Sequence, residues 1–343
     1  MAASGGRRKR YDIAGCAVPS ELKKEAFHRI MNDLSNSTVA SSATPAGDDA
    51  AELARVRHDF AQLQEEYDDL KLLYEAMIEH GEAVEDQLAE QNLLLERTRA
   101  RLDEELNDAG RYVFSILPDK RVAAPATDWL LVPSTELGGD SFGYHQIDND
   151  HFAIYLLDVC GHGVGAALLS VTVINVLRAS ALSNADFRDP STVLKALNDT
   201  FPMEKQNNMF FTIWYGVYKA STGELRYATG GHPPSILLRG ANRPEGTPSR
   251  ELLITVGGVA IGALSEMDYD SDVTHVFPGD RLLVISDGTF EVNGPGDEML
   301  SVEALADHAE KEGCGPRDVL AWVRSFNAEG PLPDDFSLLE IRF

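Results

Sequence analysis

Residues 137–169 read LGGDSFGYHQIDNDHFAIYLLDVCGHGVGAALL, and this stretch carries the strongest structural signal in the chain. A Gly-Gly turn ends on Asp140, and the apolar run 152–157 ends on a second acid, Asp158. Short apolar runs bounded by turn residues are typical of buried strands. A carboxylate at the mouth of a buried strand is costly to leave unpaired. We therefore expect both acids to face a cation, either an arginine or a metal ion.

Two later stretches repeat this arrangement. Residues 279–288, GDRLLVISDG, lead from an apolar run to Asp287, and residues 333–343, PDDFSLLEIRF, begin a last strand with the pair Asp334 and Asp335. A single Asp-Gly is usually a hairpin turn. The recurrence of an acid beside turn residues at several strand mouths, without a competing Cys/His cluster, favours oxygen-only ligation of a hard cation such as Mg²⁺ or Mn²⁺.

The segments GGD, DVCGHGVGAAL, GGHPP, SDGTFE and DDFSLL resemble, in this order, the metal-dependent protein phosphatase superfamily. Within it they are most similar to the bacterial branch typified by the sporulation stage II E and stress-response sigma-regulator phosphatases. The resemblance covers residues 113–343. It implies an α+β fold with two central, mostly antiparallel sheets between layers of helices. It also implies hydrolysis of phosphoserine and phosphothreonine by a water activated between two divalent ions, Mn²⁺ or Mg²⁺.

The resemblance also implies which residues hold the ions. Asp158 bridges both ions, the Val159 carbonyl helps to hold one, and Asp140 contributes through water. Asp287 binds one ion and Asp334 the other, because the first acid of the Asp-Asp pair usually takes this role. Asp140 and Asp158 are thereby also the catalytic residues.

Four further positions lie in or near these motifs. His162, between two glycines, is a candidate general acid or a structural loop residue. His232 in GGHPP is expected to brace its turn, and Glu291 is not assigned a role. Gly143 departs from many relatives, which carry an acid at this position, so a third metal site is in doubt.

Composition narrows the classes of function. The formal net charge of −25 over 343 residues argues against nucleic acid as the main partner. Three cysteines make no disulfide framework, and Cys160 is expected to be a space-filling residue rather than a redox site. The chain shows no apolar run of about 18 residues and no signal-peptide core, so we expect a soluble, cytoplasmic protein without membrane contact.

A heptad seam dominates the first third of the chain. Apolar residues alternate at spacings of three and four, with charged residues on the other faces: Leu53, Val56, Phe60, Leu63, Tyr67, Leu70, Tyr74, Met77, Val84, Leu88, Leu95 and Leu102. This pattern predicts a coiled coil, with a parallel homodimer as the preferred interpretation and a helix packed on its own domain as the alternative. Gly81, at a seam position, weakens the helix by about 1 kcal/mol relative to Ala.

These signals divide the chain into three predicted parts. Residues 1–50 form a disordered start, a short helix over 21–34 and a linker; residues 51–109 form the coiled coil; residues 110–343 form the catalytic domain. Within the last part we predict a helix over 164–182 that is buried on nearly all sides, and a helix over 191–201 capped by Ser191.

Two hypotheses for function follow. The first is an active phosphatase whose substrate is a phosphorylated protein, by analogy with the branch an anti-sigma-factor antagonist, and whose activity the coiled coil controls through the helix at 164–182. The second is a coiled-coil signalling scaffold with a decayed phosphatase domain. Decay would be expected to remove a metal acid, and all of them are present.

Overall fold

The computed structural model describes residues 47–135, 137–241, 249–256, 258–294, 298–326 and 330–343. The predicted helix at 21–34 and most of the predicted linker lie outside these ranges. Contacts divide the chain into two units between Asn92 and Leu93. The predicted domain boundaries at residues 50 and 109 stay predictions.

Five α-helices and ten strands make up the regular structure of the described residues. The helices are α1 (Gly47–Ile116), α2 (Val164–Arg178), α3 (Pro190–Thr200), α4 (Val302–Ala309) and α5 (Pro316–Arg324). The strands are β1 (Ala126–Val132), β2 (Ser141–Gln146), β3 (His151–Val159), β4 (Phe211–Lys219), β5 (Glu224–Gly230), β6 (Ser235–Leu238), β7 (Arg250–Leu253), β8 (Asp272–His275), β9 (Arg281–Ile285) and β10 (Phe336–Arg342).

The strands form two five-stranded antiparallel sheets. Sheet A has the order β1-β10-β9-β6-β7, and sheet B has the order β2-β3-β4-β5-β8. Their facing sides share one apolar core, in which Ile154 and Leu156 of β3 meet Leu282 and Val284 of β9. Alternate residues of a strand point to opposite faces, so the neighbours of these residues face outward.

Helices cover both outer faces. Tyr155 and Leu157 of β3 pack with Ile174 of α2 and Leu194 of α3. On the other side, residues of β9 and β10 pack with α4 and α5. Both faces of each central strand are therefore buried, which explains why β3 reads as a continuous apolar run. The predicted α+β architecture, two antiparallel sheets between helices, is confirmed.

Two predictions about the helices were wrong. Helix α2 is not buried on nearly all sides, because Val164 is 48% exposed and Leu168 is 63% exposed on its outer face. It forms the outermost layer, so only one face packs on sheet B. Helix α3 is capped by Asp189, whose side chain accepts a hydrogen bond from the Ser191 backbone N–H, and not by Ser191. Pro190 explains the shift, since proline favours the first helical position and its missing N–H costs nothing there.

The long helix α1 carries the predicted seam. Its apolar residues are exposed in the single chain: Leu63 is 63%, Leu70 is 64% and Met77 is 66% exposed. No helix within the described ranges combines the length and the apolar character that a membrane span requires. The helix ends at Ile116, two residues before Pro118.

The segment after α1 is fixed to both sheets. The indole N–H of Trp129 in β1 donates to the Pro118 carbonyl over 3.1 Å. The hydroxyl of Tyr144 in β2 donates to the Asp119 carbonyl over 2.7 Å. These bonds join the end of the helix to the edge strand of each sheet.

Candidate metal centre

The sandwich brings the four predicted acids to strand ends in both sheets. Asp140 directly precedes β2 and Asp158 is the last but one residue of β3, and these strands are paired, with Ser141 opposite Leu157. Asp287 follows β9 at the start of a short 3-10 turn, and Asp334 precedes β10. Strands β9 and β10 are also paired. Each sheet thus contributes two acids.

Burial and charge repulsion from neighbouring acids raise the pKa values of Asp158 and Asp287. Burial raises the pKa of Asp158 to about 7, and the charges of Asp287 and Asp334 add to this shift. Burial likewise raises the pKa of Asp287 to about 6, with a further contribution from Asp334. The acids of sheet A and sheet B are therefore within electrostatic reach of one another.

Asp140 is the most deeply buried of these acids. Its pKa lies well above the ordinary value because of burial first and the charge of Asp158 second, and the hydroxyls of Ser337 and Ser286 offset part of the shift. One of its carboxylate oxygens, Oδ2, has no hydrogen-bond partner of good geometry. A buried carboxylate oxygen without a partner is unfavourable unless a cation or water completes it.

No Lys or Arg within the described ranges pairs with these acids. Among the described residues, Asp140, Asp158, Asp287 and Asp334 take part in no ion pair, although buried acids elsewhere do, such as Asp280 with Arg239 at 2.9 Å. The oxygen-only donor set fits a hard divalent cation. Within the described ranges, however, no three His, Cys, Asp or Glu side chains are drawn together tightly enough to hold one ion directly. The ligand assignment therefore stays a prediction.

The Gly-Gly turn approaches the Val159 carbonyl, which is the predicted backbone ligand. A Cβ at Gly139 would lie 2.6 Å from that oxygen, so only glycine fits there. The backbone N–H of Gly163 donates to the Leu137 carbonyl over 3.1 Å and joins the two glycine loops. The chain therefore packs backbone against backbone at this end of sheet B.

The two members of the Asp-Asp pair have different surroundings. Asp334 is exposed, whereas Asp335 is buried and its carboxylate accepts hydrogen bonds from backbone and hydroxyl groups. These contacts occupy the Asp335 oxygens and favour Asp334 as the ligand. The sequence alone left this choice to analogy.

His162 and Cys160 both lie in an exposed loop. Gly161 and Gly163, on either side of His162, adopt positive φ angles of 102° and 88°. The His162 side chain makes no hydrogen bond or ion pair with any described residue, so it is free to meet a bound molecule. Its proposed role as general acid stays a prediction.

The other three positions that the sequence singled out differ in their surroundings. His232 is buried, and its Nδ1 lies 2.8 Å from the Thr212 hydroxyl. Glu291 is exposed, and its charge contributes to the raised pKa of Asp287. At Gly143 an added Cβ would lie 2.5 Å from the Tyr155 ring, so no larger side chain fits without moving that ring.

Several polar residues beneath the acids were missed by sequence reasoning. They are hydroxyl residues in or beside the motifs: Thr212, Ser286 and Ser337. Ser286 and Ser337 stand in the quoted segments SDGTFE and DDFSLL, but nothing in their local pattern indicates that they face Asp140. Thr212 lies directly opposite Asp158 in the β3–β4 register.

Comparison with known proteins agrees with this architecture. The family model for stage II sporulation protein E matches residues 148–343. Phosphoserine phosphatase RsbU of Bacillus subtilis is 26% identical over 282 residues, which cover 80% of this chain and 78% of RsbU. Phosphoserine phosphatase RsbP of the same organism is 24% identical over 52% of this chain and 42% of RsbP.

Solved structures share the fold. The SiaA-PP2C domain of Pseudomonas aeruginosa superposes with a TM-score of 0.60 at 20% identity, covering 72% of this chain and 98% of that domain. The PP2C phosphatase domain of SpoIIE from Bacillus subtilis, with a fragment of its regulatory domain, gives a TM-score of 0.52 at 19% identity, covering 63% and 61%. The family match spans more than half of the chain, and the chain therefore belongs to the stage II sporulation protein E family of PP2C-type protein serine/threonine phosphatases.

Proposed function

We propose that this protein removes phosphate from phosphoserine or phosphothreonine of a signalling protein, using two divalent cations, Mn²⁺ or Mg²⁺. Asp140, Asp158, Asp287 and Asp334, with the Val159 carbonyl, would hold the cations. One observation carries the proposal: two pairs of adjacent strands, one pair in each sheet, carry these four acids at their ends, and no described Arg or Lys forms an ion pair with them. Such an arrangement is costly for a protein unless a cation binds it.

The chain's own groups have defined tasks in this proposal. Bound divalent ions would supply activation of water and neutralisation of phosphoryl charge. Asp158 and Asp287 must lose their protons before they can act as ligands. Asp140 is held near them by its place in the Gly-Gly turn, whose backbone N–H groups at Gly139 and Asp140 donate to the Asp335 carboxylate. His162, exposed and unbonded within the described residues, is the proposed proton donor to the leaving serine or threonine oxygen.

The exposure of the site supports a protein substrate. His162 and Asp334 are exposed, so a phosphorylated side chain on the surface of another protein can reach the acids. The similarity to phosphoserine phosphatases RsbU and RsbP supports the same substrate class. Within that class we propose a phosphorylated anti-sigma-factor antagonist.

The exposed seam of α1 supports a parallel homodimer. Large apolar side chains along one helix face are unfavourable in water, and a second copy of the same seam would bury them.

We further propose that α1 controls activity. The last turns of α1, at Gly110, Val113 and Phe114, line a small apolar cleft together with Leu137 and Asp140. This cleft places the end of α1 beside the turn that carries Asp140, and the Arg178 side chain of α2 donates to the Ile116 carbonyl at the end of α1 over 2.6 Å. A truncated protein that starts at Leu93 retains the cleft but lacks most of the seam. We expect it to show altered activity or Mn²⁺ dependence, and unchanged values of both would argue against control by the coiled coil.

Phosphate release from a generic phosphoprotein tests the central proposal. We expect release by the wild type only with Mn²⁺ or Mg²⁺, and none by Asp158→Asn. If the wild type releases no phosphate with either ion, while it still dimerises, the scaffold hypothesis replaces the phosphatase.

A further inference from the structure

Asp335, beside the proposed ligand Asp334, has a carboxylate that is fully engaged. Its Oδ1 accepts hydrogen bonds from the Ser134 backbone N–H at 2.7 Å and from the Ser134 hydroxyl at 3.0 Å. Its Oδ2 accepts from the backbone N–H groups of Gly139 at 2.7 Å and of Asp140 at 3.3 Å. The residue is only 4% exposed. A buried carboxylate that accepts several N–H groups fixes the backbone that carries them.

The main chain of Asp335 makes a second set of close contacts. Its carbonyl accepts a hydrogen bond from the Ser286 hydroxyl over 3.0 Å. A Cβ at Gly288 would lie 2.3 Å from the same carbonyl, and a Cβ at Gly138 would lie 2.1 Å from the carboxylate. Asp335 is thus in contact with the turn before β2 and with the turn that follows β9. Asp140 stands in the first of these turns and Asp287 in the second.

We infer that Asp335 is a positioning residue: its carboxylate holds the Gly138–Gly139–Asp140 turn of sheet B against sheet A, and so directs the Asp140 carboxylate toward the other acids. This inference rests on the proposed function for its consequence, since a misdirected Asp140 would weaken metal binding. Asp335 itself does not bind an ion, because both of its oxygens are used by donors. Partners that orient metal ligands typically change metal affinity or activity by about 10- to 100-fold when they are replaced.

The variant Asp335→Asn tests this role. Both carboxylate oxygens of Asp335 accept hydrogen bonds from N–H groups. The NH₂ group of an asparagine side chain cannot accept a hydrogen bond, so the bonds on one side would be lost. We expect the Mn²⁺ dissociation constant, measured by electron paramagnetic resonance of free Mn²⁺, to rise about 10- to 100-fold. Excess Mn²⁺ should restore most of the maximal rate. In Asp334→Asn, by contrast, a ligand is lost and excess Mn²⁺ should not restore it.

Amide hydrogen exchange in the metal-free protein provides a readout that does not depend on activity. We expect faster exchange at Gly139 and Asp140 in Asp335→Asn than in the wild type. Asp148→Asn is the matched control: its carboxylate also accepts two backbone N–H groups, from Asp150 at 2.8 Å and His151 at 2.9 Å, but at the opposite end of the β2–β3 hairpin. We expect this control to leave exchange at Gly139 and Mn²⁺ affinity unchanged.

The outcomes separate the two proposals. Unchanged exchange at Gly139 and Asp140, or faster exchange with unchanged Mn²⁺ affinity, would overturn the positioning role. A maximal rate that excess Mn²⁺ cannot restore in Asp335→Asn would make Asp335 a ligand instead. If the wild type neither binds Mn²⁺ nor releases phosphate, the proposed function fails, whereas the exchange result still tests the turn. Should Asp335→Asn not fold, Ser134→Ala removes one bond only, and a rise of about two- to fivefold in the Mn²⁺ dissociation constant would support the role; no rise would contradict it.

Discussion

The Thr212 hydroxyl lies 2.8 Å from Nδ1 of His232, and Thr212 stands directly opposite Asp158 in the β3–β4 pairing. His232 is therefore one strand away from the proposed bridging ligand. Burial lowers the pKa of His232 to about 3, so its ring is neutral at physiological pH. A neutral histidine bonded to Thr212 adds no charge near Asp158, and its bracing of the GGHPP turn stays a prediction.

Thr212→Val should destabilise the protein without removing any acid. The change leaves His232 Nδ1 buried without a partner, which costs about 1–3 kcal/mol in the free energy of unfolding. Urea denaturation of the metal-free protein measures this loss. Thr212→Ser keeps the hydroxyl and should stay close to the wild type. Equal stability of the valine variant and the wild type would show that the bond contributes nothing.

Asp158→Asn should affect activity and stability in opposite directions. Loss of a proposed bridging ligand should lower the rate by more than the about 100-fold expected for an outer-shell partner. At pH 8 the wild-type acid is charged, buried and repelled by its neighbours, so the metal-free variant should unfold at a higher temperature. Thermal unfolding with and without Mn²⁺ measures both effects. A variant that Mn²⁺ still stabilises as strongly as the wild type would contradict the ligand assignment.

The raised pKa values predict how pH acts on the metal-free protein. Asp158 and Asp287 hold protons in the folded state up to about pH 7 and about pH 6, whereas in the unfolded chain they lose them near the ordinary value of 3.8. The folded state therefore binds more protons in this window, and the contribution of these two acids to stability falls as pH rises from about 4 to about 7.

Metal binding should show the opposite pH dependence, because Mn²⁺ displaces protons from these acids. We expect Mn²⁺ affinity to rise between pH 6 and pH 8. Titration calorimetry at several pH values measures this, with the number of protons released inferred from buffers of different ionisation enthalpy. In Asp158→Asn the residual affinity should depend less on pH near 7. Affinity that does not change with pH in the wild type would contradict the raised pKa values.

Gly143→Ala should destabilise the domain, because the new Cβ would lie 2.5 Å from the buried Tyr155 ring. Overpacking of this kind typically costs about 1–3 kcal/mol, which urea denaturation measures. Gly81→Ala is the control: nothing lies within 4 Å of its position, and the helix should gain about 1 kcal/mol. If Gly143→Ala leaves the free energy of unfolding unchanged, the site has room for a side chain, and an acidic residue would also fit at this position.

The seam of α1 predicts the oligomeric state. Leu88→Lys combined with Leu95→Lys places charge at two seam positions, and we expect the dimer to dissociate in sedimentation velocity. Leu93 is 48% exposed but lies outside the seam, so Leu93→Lys should leave the dimer intact. A wild-type monomer at micromolar concentration would refute the homodimer, and the helix would then need another partner.

Local patterns in the sequence predicted most of the fold. The apolar runs 152–157 and 282–285 lie within β3 and β9, because short apolar runs between turn residues are typical of buried strands. The same runs predicted that the acids lie at strand mouths, and the resemblance supplied the layer order. Helix α2 was misjudged, since an apolar composition does not reveal which face remains in the outer layer.

Long-range polar contacts could not be predicted in this way. Asp335 and Gly139 are joined across 196 positions of the chain, and Ser286 reaches the Asp335 carbonyl across 49. Neither contact has a local signature, because each depends on the register between β9, β10 and the turn before β2. The cap of α3 was missed for a local reason, since the preference of Pro190 for the first turn outweighed the serine at 191.

The bonds of Trp129 and Tyr144 to residues 118 and 119 fix the chain directly after α1. Within α1 itself, the seam sets a rule for the length of the helix, because each added residue turns the following part by about 100°. An insertion of seven residues keeps the apolar stripe continuous, whereas an insertion of two residues divides it between opposite faces. Changes in the length of this helix should therefore be tolerated in steps of one heptad.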